Sequence, residues 1–285
     1  MTTLLHFHAK ITNLPPHSTR LQGGWLWLAR IVWGLVAAVT WGLFMASHPA
    51  NLARIRTICS SQPCASGQLT PAGMAALTAA GFSLESYVLW AAGVTLVVAL
   101  VYSASALLIV LRRSDDWLAL LAALMLITFS LGTFTDATRG LAESSRFWWL
   151  PAQLISYTGD LLFMFFILVF PSGRFAPHWA GWLLLLWGVT RMPHYLFPQS
   201  PINLEVSLPW LYNLMFLGGL FSGVGTQVYR YWRVSNAGER LQTKWVVFGL
   251  LTAILGFVTC FAFYSRLSDP SGANMVASLL LESIG

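Results

Sequence analysis

Seven stretches of this chain are each long and apolar enough to cross a bilayer as a helix, and this limits the fold more than any other feature. A hydrocarbon core about 30 Å thick takes roughly 20 residues of α-helix at about 1.5 Å per residue. The stretches are 25–47, 87–111, 117–136, 150–170, 179–198, 210–230 and 245–265. Most are bordered by aromatic residues: Trp25, Tyr87, Trp117, Trp148, Trp149, Trp179, Trp210, Trp232 and Trp245. Their amphipathic rings prefer the headgroup layer.

Composition agrees. Charged residues make up 9 % of the chain, where soluble domains carry about a quarter. Aromatics reach 14 %. These figures exclude an ordinary soluble enzyme, a disordered protein and a nucleic-acid binder. The net charge of +6 lies between apolar runs, a pattern of membrane orientation rather than of polyanion binding.

The expected fold is therefore all-α: a polytopic transmembrane helix bundle of about seven spans in the cell membrane. Residues 1–24 form a leader that lacks the apolar core of a cleavable signal. Residues 25–265 form the bundle, with an extracellular stretch at 48–86, and 266–285 form an external tail. Within that tail the apolar run 275–281 reads as the start of an eighth span cut short. Orientation follows from the basic residues. With a cytoplasmic N-terminus, the inner side receives Lys10, Arg20, Arg30, Arg112, Arg113, Arg174, Arg230, Arg233, Arg240 and Lys244. The outer side receives Arg54, Arg56, Arg139, Arg146, Arg191 and Arg266. The excess of ten over six favours the N-terminus inside.

The outer stretch holds Cys59 and Cys64, spaced for a small disulfide on the oxidising side. Two free thiols are the alternative. Cys260, within the seventh stretch, reads as a packing residue. Thr70-Pro71 signals a helix start, so 71–80 reads as a short helix with Met74 and Leu77 on one side.

Asp160 is the residue that most needs a chemical reason. It lies midway along the fourth stretch, where a carboxylate costs about 2.5–3.5 kcal/mol on insertion scales. It should face the bundle interior. Arg191, at matching depth in the antiparallel fifth stretch, is the best partner, and Tyr157 lies one turn away. The group reads either as a ligand- or proton-sensing site or as a structural polar clamp. Arg191, Pro193, His194 and Tyr195 form a second cluster. It reads either as a kinked pocket mouth or as a helix ending near Arg191. Gly219 and Gly223 form a G-x-x-x-G, for packing within the bundle or for a dimer seam.

Enzyme signatures fail. Tyr157-Thr158-Gly159-Asp160 departs from the G-x-G-D of intramembrane aspartyl proteases at its first position, and Asp136 lies at the outer edge of its span. Ser222 with His194 lacks a nucleophile loop. No H-E-x-x-H, P-loop or G-x-G-x-x-G occurs, and no metal set or cofactor motif is expected.

Two segments carry a resemblance. Residues 168–178, LVFPSGRFAPH, and 226–249, TQVYRYWRVSNAGERLQTKWVVFG, resemble segments of the multi-pass membrane sensor region of bacterial sensor histidine kinases of the Chloroflexi type. The layout is similar to that of competence quorum-sensing kinases. The outer stretch QLTPAGMAALTAAGFSLESY fits the same type, and the likeness extends over roughly 50–270.

The resemblance implies a signal-input module of a two-component system: a homodimeric receptor for an unknown small molecule, peptide or lipid. Asp160, Arg191, His194 and Tyr157 are its candidate sensing residues. Arg230, Arg233, Arg240 and Lys244 are expected to form an inner-face connector against anionic headgroups, at about 1 kcal/mol each. Gln242 and Thr243 would cap the following helix. The 20 residues after the seventh stretch hold no phosphoacceptor helix and no ATP-binding region. A response regulator would therefore be a partner only through a kinase region absent from this chain. The alternative is a self-contained polytopic protein, a small transporter or an intramembrane enzyme.

Overall fold

The computed structural model describes residues 19–60, 68–134 and 138–233, together with Arg240, Lys244, Phe248, Gly249, Thr252 and Leu255. Among the described residues all regular structure is helical, and a lone bridge pairs Arg20 with Asp116. The elements are α1 (Gly23–Arg56), α2 (Pro71–Ala79), α3 (Leu84–Arg113), α4 (Trp117–Thr128), a π-helical segment (Phe129–Phe134), α5 (Arg139–Ser144), α6 (Arg146–Val169), α7 (Ala180–Leu196), α8 (Leu204–Ser207) and α9 (Pro209–Arg233).

Among the described residues three helices, α1, α3 and α6, are long and apolar enough to cross a membrane. The remaining expected spans differ in form. Of the expected span 117–136, residues 117–134 form the 12-residue α4 followed by the π-helical segment. The fifth stretch becomes a 17-residue helix. The 25-residue α9 is long enough, but its glycines and polar side chains dilute its apolar character. The seventh stretch lies outside the described residues except for four positions between 248 and 255. So do Cys64, Asp136, Gln242, Thr243, Cys260, the leader up to residue 18 and the tail 266–285.

Helix ends follow local chemistry. Thr70 Oγ1 accepts from Gly73 N–H at 3.1 Å and starts α2 with Pro71 in its first turn. Ser83 and Ser86 form a reciprocal capping box at the start of α3. Asp116 Oδ1 accepts from Leu118 N–H at 2.9 Å and starts α4. One boundary departs from expectation. The first span continues past residue 47 through Pro49 to Arg56, so the outer stretch begins as helix. Packing compensates for the hydrogen bond that Pro49 removes. Asn51 Oδ1 accepts from Gly140 N–H at 3.0 Å, and Arg56 pairs with Glu85 at 3.0 Å.

Small residues set the helix spacing. Ala37, Ala99, Ala106 and Ala123 lie buried with Phe44, Ile127 and Leu131 where α1, α3 and α4 meet. α6 then packs on α4, the π-helical segment, α5, α7 and α9. At Gly159 a Cβ would lie 2.7 Å from the Thr128 carbonyl, so only glycine permits this approach of α6 to α4. A smaller cluster joins Leu69, Leu77 and Tyr87, with Met74 packed against it.

The contacts sort the helix termini into two ends. At one end, Leu21 N–H donates to the Asp115 carbonyl at 2.6 Å, and Gly173 lies against the Trp117 ring. Gly173 has φ +72°, and a Cβ there would meet that ring at 2.9 Å. The Arg56–Glu85 and Asn51–Gly140 contacts lie at the other end.

Candidate functional site

α6, α7 and α9 meet around one guanidinium. Asp160 and Gly159 are neighbours on α6, so the turn that brings Gly159 against α4 directs Asp160 towards α7. Asp160 and Arg191 are 3 % and 8 % exposed. Arg191 Nε donates to Asp160 Oδ2 at 2.6 Å. Its Nη1 donates to the Tyr212 hydroxyl of α9, and its Nη2 to the Tyr195 hydroxyl at 3.4 Å. Four rings surround the cation: Trp187 and Tyr195 at 5.6 Å, Phe216 at 5.3 Å and Tyr212 at 5.0 Å from Cζ. Each contributes through its negative face, and more in a dry site than in water. A buried charge is tolerable only when paired and hydrogen-bonded, and here the guanidinium has both kinds of partner.

The other proposed sensing residues take different places. The Tyr157 hydroxyl donates to the Gly188 carbonyl at 2.9 Å instead of bonding Asp160. Its ring lies 5.8 Å from that of Tyr195. His194 is partly buried, with Nδ1 2.5 Å from Glu205 Oε2. The ionised carboxylate only accepts, so Nδ1–H donates. This hydrogen bond from His194 holds the Glu205 carboxyl below its ordinary range, against the opposing effect of partial burial, and Arg191 and Arg139 add electrostatic help. α7 runs unbroken through Pro193 to Leu196, and Phe197 N–H donates to the Pro193 carbonyl at 2.9 Å. The backbone is therefore regular helix through Pro193, and the helix does not end at Arg191.

A second buried cation joins the two segments that carried the family resemblance. Arg230, 1 % exposed, donates to the carbonyls of Leu168 (2.7 Å), Val169 (2.8 Å), Phe170 (2.5 Å) and Ala176 (3.0 Å), and to that of Arg174. Gln227 adds bonds to Ile167 and Phe170 carbonyls. The last carbonyls of a helix lack intrahelical partners and carry partial negative charge. Arg230 and Gln227 supply donors where α6 ends at Val169. The expectation that Arg230 lies against headgroups is corrected: the carbonyl cluster draws it inward. Arg233 is exposed, Arg240 lies over the Tyr231 ring at 5.8 Å, and Lys244 is exposed.

Gly219 lies against Trp187 and Gly223 against Ile167, so both glycines of the G-x-x-x-G pack within the bundle. Cys59 is disulfide-bonded, with its partner outside the described residues. Among the described residues no group of three or more His, Cys, Asp or Glu gathers to hold a metal. Sequence reasoning missed Tyr212, Glu205, Phe216 and Gln227. A lone tyrosine at matching depth and an acid opposite His194 were the available signals.

No protein-family model matches the chain, and neither a curated protein nor a solved structure is similar to it.

Proposed function

We infer that the chain is the membrane-embedded signal-input module of a two-component sensor histidine kinase, and that its input is read through the Arg191 clamp. The observation that carries this reading is the convergence of three helices on one buried cation. A stimulus that competes for Arg191, or that neutralises Asp160, binds one arrangement of α6, α7 and α9 better than another. Such differential affinity is what a ligand needs to shift a conformational equilibrium. The Arg230 cluster supports the same reading, because it couples the inner ends of α6 and α9. Movement at the clamp then reaches the connector that an output domain would follow.

In this proposal the chain crosses the cell membrane seven times from a cytoplasmic N-terminus. The sorting of helix ends supports an alternating path, and the excess of basic residues supports the orientation. The module acts as a homodimer, with a response regulator downstream of a kinase region outside this chain.

One observation favours a self-contained transporter. α4 passes into the π-helical segment beside buried hydroxyls: Thr133 Oγ1 donates to the Ser156 carbonyl at 2.7 Å, and Ser156 Oγ to that of Gly132 at 2.8 Å. π-Helical stretches within α-helices frequently mark functional sites.

The test is to express the natural reading frame containing this chain and assay autophosphorylation in membranes. The proposal expects labelling whose basal level shifts in Asp160→Asn and Arg191→Gln. A frame with no kinase region, or a labelling level equal in all three proteins, would contradict it.

A further inference from the structure

At the end of the molecule where α1 begins and α3 finishes, three arginines come together without matching carboxylates. Arg30 reaches from α1 to the end of α3, and its Nη2 donates to Ser114 Oγ at 2.7 Å. Its Nε is buried and has no hydrogen-bond partner. Arg112 and Arg113 occupy the last turn of α3, both exposed and without an ion pair among the described residues. The two nearby acids are engaged elsewhere. Asp115 lies 3.5 Å from Arg20, and Asp116 starts α4. Four arginines against two carboxylates leave a local excess of two positive charges.

The surroundings identify the kind of anion. Trp25 and Trp27 are 73 % and 66 % exposed on the first turns of α1, and the Arg30 guanidinium lies 6.0 Å from the Trp27 ring centre. Exposed tryptophans mark the headgroup layer. From the arginines, exposed apolar side chains continue along both helices: Leu28, Ile31 and Leu35 on α1, and Leu107, Leu108 and Leu111 on α3. A ligand here meets cations at its head and hydrocarbon-compatible surface along its body.

We propose that Arg30, Arg112 and Arg113 form a binding site for the phosphate of an anionic phospholipid, with the acyl chains along α1 and α3. Guanidinium forks match phosphate oxygens, and the exposed guanidinium groups of Arg112 and Arg113 present such forks beside the Arg30 cation. The proposal is independent of the Arg191 clamp and of the reading built on it.

Native mass spectrometry of the full chain, released from nanodiscs of mixed phosphatidylglycerol and phosphatidylcholine, tests it. The native protein should retain phosphatidylglycerol in preference. Retention should fall about fivefold for each arginine removed, the equivalent of ~1 kcal/mol. Arg30→Gln and the double variant Arg112→Gln/Arg113→Gln are compared with Arg146→Gln, which removes an exposed arginine from the start of α6 and should change nothing. The double variant alters only exposed side chains, so it carries the test if Arg30→Gln fails to fold. Equal retention of the two lipids, undiminished retention in the double variant, or displacement of the lipid by millimolar inorganic phosphate would each overturn the proposal.

Discussion

At the scale of single residues, two buried arginines are held in different ways. Arg191 has a carboxylate, two hydroxyls and four rings, whereas Arg230 has the carbonyls of a helix end and the following loop. Removing one partner of a buried ion pair leaves the other uncompensated, at about 3–5 kcal/mol. Asp160→Asn and Arg191→Gln should each destabilise the bundle on that scale, and the double variant by less than their sum. Denaturation in detergent across a double-mutant cycle should give a coupling of about 0.5–3 kcal/mol. Additive losses would separate the two residues energetically. Arg230→Lys should also destabilise, because an ammonium cannot satisfy a fan of carbonyls spread over Leu168 to Ala176, and each orphaned carbonyl costs about 1–3 kcal/mol. A melting temperature equal to the native one would refute this.

The cost of burying Asp160 was legible in the sequence, as was a cation at matching depth in the next helix. Tyr212 and Glu205 were not, because sequence periodicity does not fix how α9 and the short α8 rotate towards their neighbours. Arg230 was misjudged for a physical reason. A cation near the end of an apolar run suggests a headgroup partner, and nothing local shows that the carbonyls of a helix some sixty residues earlier in the chain lie closer.

At the scale of elements, packing rests on glycines that differ in what they face. Gly159→Ala would push a methyl into the backbone of α4, with an expected loss of about 1–3 kcal/mol. Gly218→Ala, with nothing within 4 Å, should be neutral or slightly stabilising. Thermal denaturation of the two variants side by side checks the contrast, and equal effects would contradict it. The α7–α8 connection has its own signature. Glu205 is held below the ordinary carboxylate range by His194, so its contribution is present above that range and lost as pH falls through the lowered value. Because Glu205 is half exposed, the effect should be small. The melting-temperature difference between native protein and Glu205→Gln should shrink between about pH 7 and about pH 3. A difference constant with pH would mean that the tether does not depend on that charge. The sequence marked Pro193 as a breaker here, but α7 continues through it because tertiary contacts of Arg191 and Tyr195 hold both sides of the proline.

At the scale of the whole molecule, the two ends of the helix bundle have different work. The end with Arg30, Arg112 and Arg230 holds charge and helix termini together, and the opposite end carries His194, Glu205 and the short helix α2. Reporter fusions at residues 20, 113, 175 and 238 should read cytoplasmic, and those at 65, 143, 204 and 272 external. An external signal at 238 would reverse the proposed orientation. The central claim is that the Arg191 clamp holds one of two arrangements of α7 and α9. Pulsed electron paramagnetic resonance between spin labels at positions 185 and 214, in bilayers, measures it most directly, since Leu185 and Leu214 are exposed on those helices. The native protein should give one main distance, and Asp160→Asn a second, populated distance. Identical distance distributions in the two proteins would contradict it.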